Sequence, residues 1–143
     1  MPWAEAARLL ARLQGPNADL IRRAAAGLAG PISGRPFTLV HGDFHLGQLG
    51  RHAGTLVLID VDDLGVGDPA ADLARPGGFW AAGLLPDETW HAFLDGYRSG
   101  GGPGLPPGDP WPVLEPFARA AVVAAAANHP DDELLVAACE RMH

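Results

Sequence analysis

Nineteen glycines and fourteen prolines are spread through 143 residues, and they set the length of every element this chain can build. Proline interrupts helix interiors and central strands, and glycine weakens both, so regular structure has to fit between them. Together they make up about 23% of the chain, just below the ~25–30% that signals disorder. They also gather in identifiable loops, at Gly15-Pro16, at Gly30-Pro31 and through Ser99 to Pro112. That distribution predicts an ordered domain with long connections. With 48% apolar residues, the chain can bury one core, and a single domain over 1–143 is expected.

Between the breaks, two periodicities alternate. Trp3, Ala6, Ala7, Leu10 and Leu13 recur at helical spacing over Trp3 to Gln14, and Asn17 is placed to cap a second helix running to about Ala29, so 1–30 reads as a helical pair. Phe37 to Val40 and Thr55 to Ile59 are short β-prone runs, with Leu46 to Leu49 a candidate third strand and Arg51 to Gly54 a turn. Helical signals return over Pro69 to Ala74, Pro86 to Arg98, Val113 to Ala127 and about Asp131 to Arg141. In the second of these, Trp90, Phe93, Leu94 and Tyr97 form a core-facing stripe. The expected fold is therefore α+β and predominantly α. It has a middle segment, 37–74, carrying a small β ribbon, and a helical subdomain, 77–143, interrupted by the Gly/Pro loop at 99–112.

The charge balance excludes several functions. All ten basic residues are arginine, against seventeen acidic residues, for a net charge of −7. A duplex-DNA or anionic-membrane binder builds its affinity on clustered Lys and Arg, which this chain lacks. Without lysine it can form no Schiff base and has no phosphate-holding lysine of its own. The single cysteine, Cys139, allows neither an internal disulfide nor a multi-cysteine metal site, and its helical setting predicts a core position. A cytoplasmic location is the expectation, with no apolar run near the ~20 residues of a membrane span.

The chemistry is concentrated in Val40 to Ala74. His41, Asp43, His45 and Gln48 crowd one short stretch after an apolar run, and Asp60 ends a second such run, with Asp62 and Asp63 close by. Paired as an antiparallel ribbon, the two runs would bring these polar ends together. Gln48 and Asp60 offer oxygens suited to magnesium, and Asp43 offers a base for a hydroxyl nucleophile, the combination that phosphoryl transfer requires. Asp68, ahead of Pro69, reads as a helix N-cap. His52, His91, His129 and His143 read as surface or core-edge residues, and Arg22, Arg23 and Arg75 as surface charges.

In order, the segment presents His-Gly-Asp at 41–43, an amide at Gln48, Ile-Asp at 59–60, Gly-Asp-Pro at 67–69 and Asp-Leu-Ala at 72–74. This series resembles the catalytic core of the aminoglycoside phosphotransferase and choline kinase superfamily. The resemblance implies a protein-kinase-like C-terminal lobe, with ATP as phosphate donor, Mg2+ as cofactor and a small polar acceptor such as a sugar, amino sugar or aminoglycoside. It implies Asp43 as catalytic base, His41 as a brace of the catalytic loop, Gln48 and Asp60 as magnesium ligands, with Asp62 as a further candidate, and His45 near phosphate. Asp72 would support the loop from below, and the acceptor would sit by Trp90, Asp95 and Tyr97. The family usually carries asparagine where this chain has Gln48; the string His-Leu-Gly-Gln is similar to bacterial maltokinases and glucosamine kinases. The lysine-bearing, nucleotide-covering N-lobe of such kinases has no counterpart here, so it is expected on a separate or upstream polypeptide, and a homodimer stays open.

Three other readings share these residues. The string LVLIDVDD is similar to the first motif of haloacid dehalogenase-like phosphatases, with Asp60 as nucleophile and Asp62 as acid/base, although Leu64 stands where that motif has threonine. A metallohydrolase would use His41, Asp43 and His45, which share one side only on a strand. A kinase-like lobe without activity would be a binding or regulatory module.

Overall fold

The computed structural model describes residues 2–142, so the expectation for His143 lies outside the described residues. The chain runs α1 (Pro2–Leu10), α2 (Ala18–Ala26), β1 (Thr38–Val40), a 3-10 turn (Leu46–Gln48), β2 (Leu49–His52), β3 (Thr55–Leu58), β4 (Gly65–Gly67), a 3-10 segment (Pro69–Leu73), α3 (Ala74–Ala81), α4 (Asp87–Ser99), α5 (Trp111–Asn128) and α6 (Glu133–Glu140). This is an α+β architecture, mostly α, with two small antiparallel sheets.

α5 is the central element. Its alanine-rich stretch lets neighbours approach closely, and Ala120, Val123 and Ala126 are wholly buried there. Ile21 from α2 and Cys139 from α6, both at 0% exposure, complete that part of the core. A second cluster joins Leu73, Trp90, Leu94, Leu114 and Ala118, so the α4 stripe does face inward.

The strand pairing differs from the expected ribbon. β1 does not pair with the 55–59 run; it pairs with β4, a strand the sequence did not suggest, in the register Thr38↔Gly67, Leu39↔Val66 and Val40↔Gly65. β2 and β3 form their own hairpin, Leu49↔Leu58 through His52↔Thr55. Ala53 and Gly54 close it with φ of 50° and 79°, the doubly positive pair of a tight hairpin turn. Local turn geometry therefore took β3 from the pairing that apolar content alone suggested. Leu46–Gln48, the candidate third strand, is a 3-10 turn, and strand begins only at Leu49.

α3 is the larger addition. Ala74–Ala81 is helical although it contains a proline and two glycines at 76–78, residues of low helix propensity. Both glycines mark close contact: a Cβ at Gly77 would meet the Leu114 side chain at 2.8 Å, and one at Gly78 the Ala118 carbonyl at 2.7 Å. The sequence gives up helix propensity there so that α3 can lie directly on α5.

Candidate active site

The β1–β4 pair and the β2–β3 hairpin hold the ends of the 41–48 loop. Within it, Gly42 takes φ +90°, and any Cβ there would collide with the Asp63 carbonyl, so only glycine fits. The Asp72 carboxylate rises from the 3-10 segment and accepts from the His41 N–H at 2.8 Å and the Gly42 N–H at 3.1 Å. His41, only 5% exposed, uses both ring nitrogens. Nε2 lies 2.9 Å from the Ile59 carbonyl, and Nδ1 accepts from the Asp43 N–H at 3.3 Å. One imidazole thus ties the turn carrying Asp43 to the residue before Asp60.

Gln48 is buried, and its Nε2 donates to Asp60 Oδ2 at 3.0 Å across twelve residues of chain. Asp60 sits at φ +56°, a left-handed conformation that aspartate tolerates better than most residues. The two proposed oxygen donors therefore meet at one point. Asp62 and Asp63 lie in the exposed turn that follows, and Asp62 makes no hydrogen bond among the described residues. His45 caps the 3-10 turn, its Nδ1 accepting from the Gly47 N–H at 3.1 Å.

Sequence reasoning missed Arg75. Its guanidinium donates to Asp43 Oδ1 at 3.2 Å and lies 3.7 Å from Glu5 Oε1 of α1. The available signal was its place three residues after Asp72, which puts both on one helical face. Asp43 lines a cavity of about 470 Å³ with Glu5, Arg8 and Asp63. Arg75 and Glu5 also line a neighbouring cavity of about 460 Å³, which is bounded by His45, Asn128, His129 and Asp132.

The three residues expected to hold the acceptor are placed differently from one another. Trp90 is 2% exposed and packed in the core. The Tyr97 hydroxyl accepts from the Gly104 N–H at 2.8 Å, bracing the 99–112 loop, and Asp95 is exposed on α4. Trp90 and Asp95 line no cavity with Asp43 or Arg75, whereas Tyr97 lines one beside the catalytic loop with His41, Phe44 and Asp72. Asp68 caps its 3-10 segment through the Ala70 N–H at 2.9 Å. It also accepts two bonds from Arg35, at 3.0 and 3.1 Å. The three-ligand metallohydrolase arrangement is not met: 41–45 turns at Gly42 instead of running as a strand, and no group of three or more His, Cys, Asp or Glu able to hold a metal occurs among the described residues.

The site thus sets an acid on a braced loop with an amide–carboxylate pair beside it. A family model described as the phosphotransferase enzyme family matches residues 2–111. The chain belongs to that family. No curated protein and no solved structure matches it. No helix among the described residues is long and apolar enough to cross a membrane.

Proposed function

We propose that the chain is the acceptor- and metal-binding lobe of a small-molecule kinase, moving the γ-phosphate of ATP to a hydroxyl of a sugar, amino sugar or aminoglycoside-like acceptor. The observation carrying this reading is the disposition of Asp43. Its loop is held by Asp72 and His41, and its carboxylate lines a cavity and, among the described residues, bonds only to Arg75. Asp43 accepts the proton of the acceptor hydroxyl as that oxygen attacks phosphorus. Arg75 fixes the carboxylate's direction, and the acceptor body occupies the cavity beyond Arg75 and Glu5, whose polar groups include Asn128, His129 and Asp132.

The meeting of Gln48 and Asp60 fits magnesium, which takes one or two protein oxygens and completes its shell with water and phosphate. Asp60 would hold it together with Gln48 once the Gln48 amide turns to present Oε1 in place of the Nε2 that now donates to Asp60, and the ion would neutralise charge on the phosphates. His45 stands beside this point, at the edge of the acceptor cavity.

A second lobe, on the same or another polypeptide, covers the nucleotide in this reading. Among the described residues, ten of the eleven exposed large apolar side chains fall between Ile32 and Val66, among them Phe37 at 74% and Val66 at 73%. A face of that size beside the site calls for a cover. The test is phosphate transfer from labelled ATP across a panel of sugars, amino sugars and aminoglycosides, with and without added second-lobe sequence. Turnover abolished by Asp43→Asn, with Mg-ATP binding retained, supports the kinase. No turnover under any condition, with Mg-ATP binding unaffected by Asp60→Ala, overturns it in favour of a binding module.

A further inference from the structure

Away from the catalytic loop, the outer ends of α3, α4 and α5 enclose a cavity of about 580 Å³ walled by Trp80, Trp90 and Trp111, with Asp87, His91 and Asp109 as its polar groups. None of Asp43, Gln48 or Asp60 borders it. Trp80 stacks on Trp90 at 5.6 Å between ring centres, and Trp111 stands nearly perpendicular to Trp80 at 5.9 Å. Two carboxylates hold these walls. Asp87 Oδ1 accepts from the Trp80 indole N–H at 2.7 Å, and Asp109 Oδ1 accepts from the Trp111 backbone N–H at 3.0 Å. In both aspartates Oδ2 makes no hydrogen bond, and neither is in an ion pair, among the described residues. The nearby arginines are committed elsewhere, Arg98 to the Pro106 and Gly108 carbonyls and Arg119 to Glu115.

We propose that this cavity binds a guanidinium group, carried by a small molecule or by an arginine side chain. Indole faces attract cations, and an indole N–H donated to a carboxylate makes that ring richer in electrons. The available carboxylate oxygens require a ligand that donates hydrogen bonds as well as carrying charge. A quaternary ammonium has no donor, whereas guanidinium is planar, stacks on aromatic faces and presents five donors. His91 Nδ1 donates to the Asp87 carbonyl at 2.8 Å, which leaves Nε2 of the neutral ring an acceptor and the Trp111 indole N–H the main side-chain donor in the lining, so an uncharged polyol would find few partners for its oxygens. The net charge of −7 favours a cationic ligand throughout. The inference is independent of phosphate transfer.

Three of the four tryptophans line the cavity, so intrinsic fluorescence and calorimetry read it directly. The probes are methylguanidinium, N-acetylarginine amide, its uncharged isostere N-acetylcitrulline amide, tetramethylammonium and methyl glucoside. Saturable binding of a guanidinium probe is expected at millimolar concentration, at least about tenfold weaker for citrulline and tetramethylammonium. Preference for the arginine amide over methylguanidinium identifies a side-chain ligand; equal affinity identifies the free ion. Trp111→Ala and Asp109→Asn should each weaken binding about tenfold, the latter keeping an oxygen that can accept from the Trp111 N–H while removing the charge. Asp43→Asn should leave it unchanged. Equal binding of the citrulline amide, preference for methyl glucoside, no saturation by any probe, or loss of binding in Asp43→Asn would each overturn the assignment.

Discussion

At the residue scale the site rests on backbone held by side chains. Asp72 commits both carboxylate oxygens to the N–H groups of His41 and Gly42. Asp72→Asn therefore sets an amide N–H against a backbone N–H, leaving a donor unmet; urea denaturation should show a loss of about 1–3 kcal/mol, and phosphate transfer should fall with it. Arg75 acts differently, because it touches Asp43 directly. Arg75→Ala should lower kcat about tenfold or more with KM for ATP little changed, and Arg75→Lys should restore part of it; a change confined to KM would remove Arg75 from a positioning role. Most of the site was readable because His41, Gly42, Asp43, Asp72 and Ala74 belong to short local strings. Arg75 was harder to read, since its one local signal was its spacing from Asp72 and its partners, Glu5 and Asp43, are distant in sequence.

At the element scale, helices with uninterrupted periodicity were legible and elements defined by contact were not. α4 announced itself through Trp90, Phe93, Leu94 and Tyr97, all of which pack inward. α3 was hidden by Pro76, Gly77 and Gly78, whose justification is the surface of α5. β4, at three residues, is too short for any pattern and exists through its pairing with β1. The long Gly/Pro loop is similarly defined by partners far from it. Arg35 clamps Asp68 with two hydrogen bonds and also donates to the Gly104 carbonyl, while the Tyr97 hydroxyl accepts from the Gly104 N–H. Arg35→Ala would leave the Asp68 carboxylate, 6% exposed, without its counter-charge, at a cost of about 3 kcal/mol. A lowered Tm, together with faster proteolysis within 99–112, is the expected result; unchanged cleavage of that loop would show that the strap does not order it.

At the scale of the whole molecule, the missing lysines give this fold a simple alkaline titration. With one cysteine, one tyrosine and no lysine, Cys139 and Tyr97 are the only side chains that titrate between about pH 8.5 and 11, arginine remaining charged throughout. Burial among α2, α5 and α6 pushes the Cys139 thiol up from 9.0 to about 11. Burial also raises Tyr97 above 10.0, opposed by the hydrogen bond from Gly104. Both groups hold their protons to higher pH in the folded protein than in the unfolded chain. The unfolded chain therefore binds fewer protons in that window, and stability falls as pH rises. The contribution of Cys139 is complete below about pH 9 and lost by about pH 11. The urea midpoint measured between pH 8 and 11 should decline, and Cys139→Ala should remove most of that decline while costing some stability at pH 8 through the cavity it leaves. An undiminished decline in Cys139→Ala would assign it to Tyr97 and the strap around Gly104, which Tyr97→Phe would then remove.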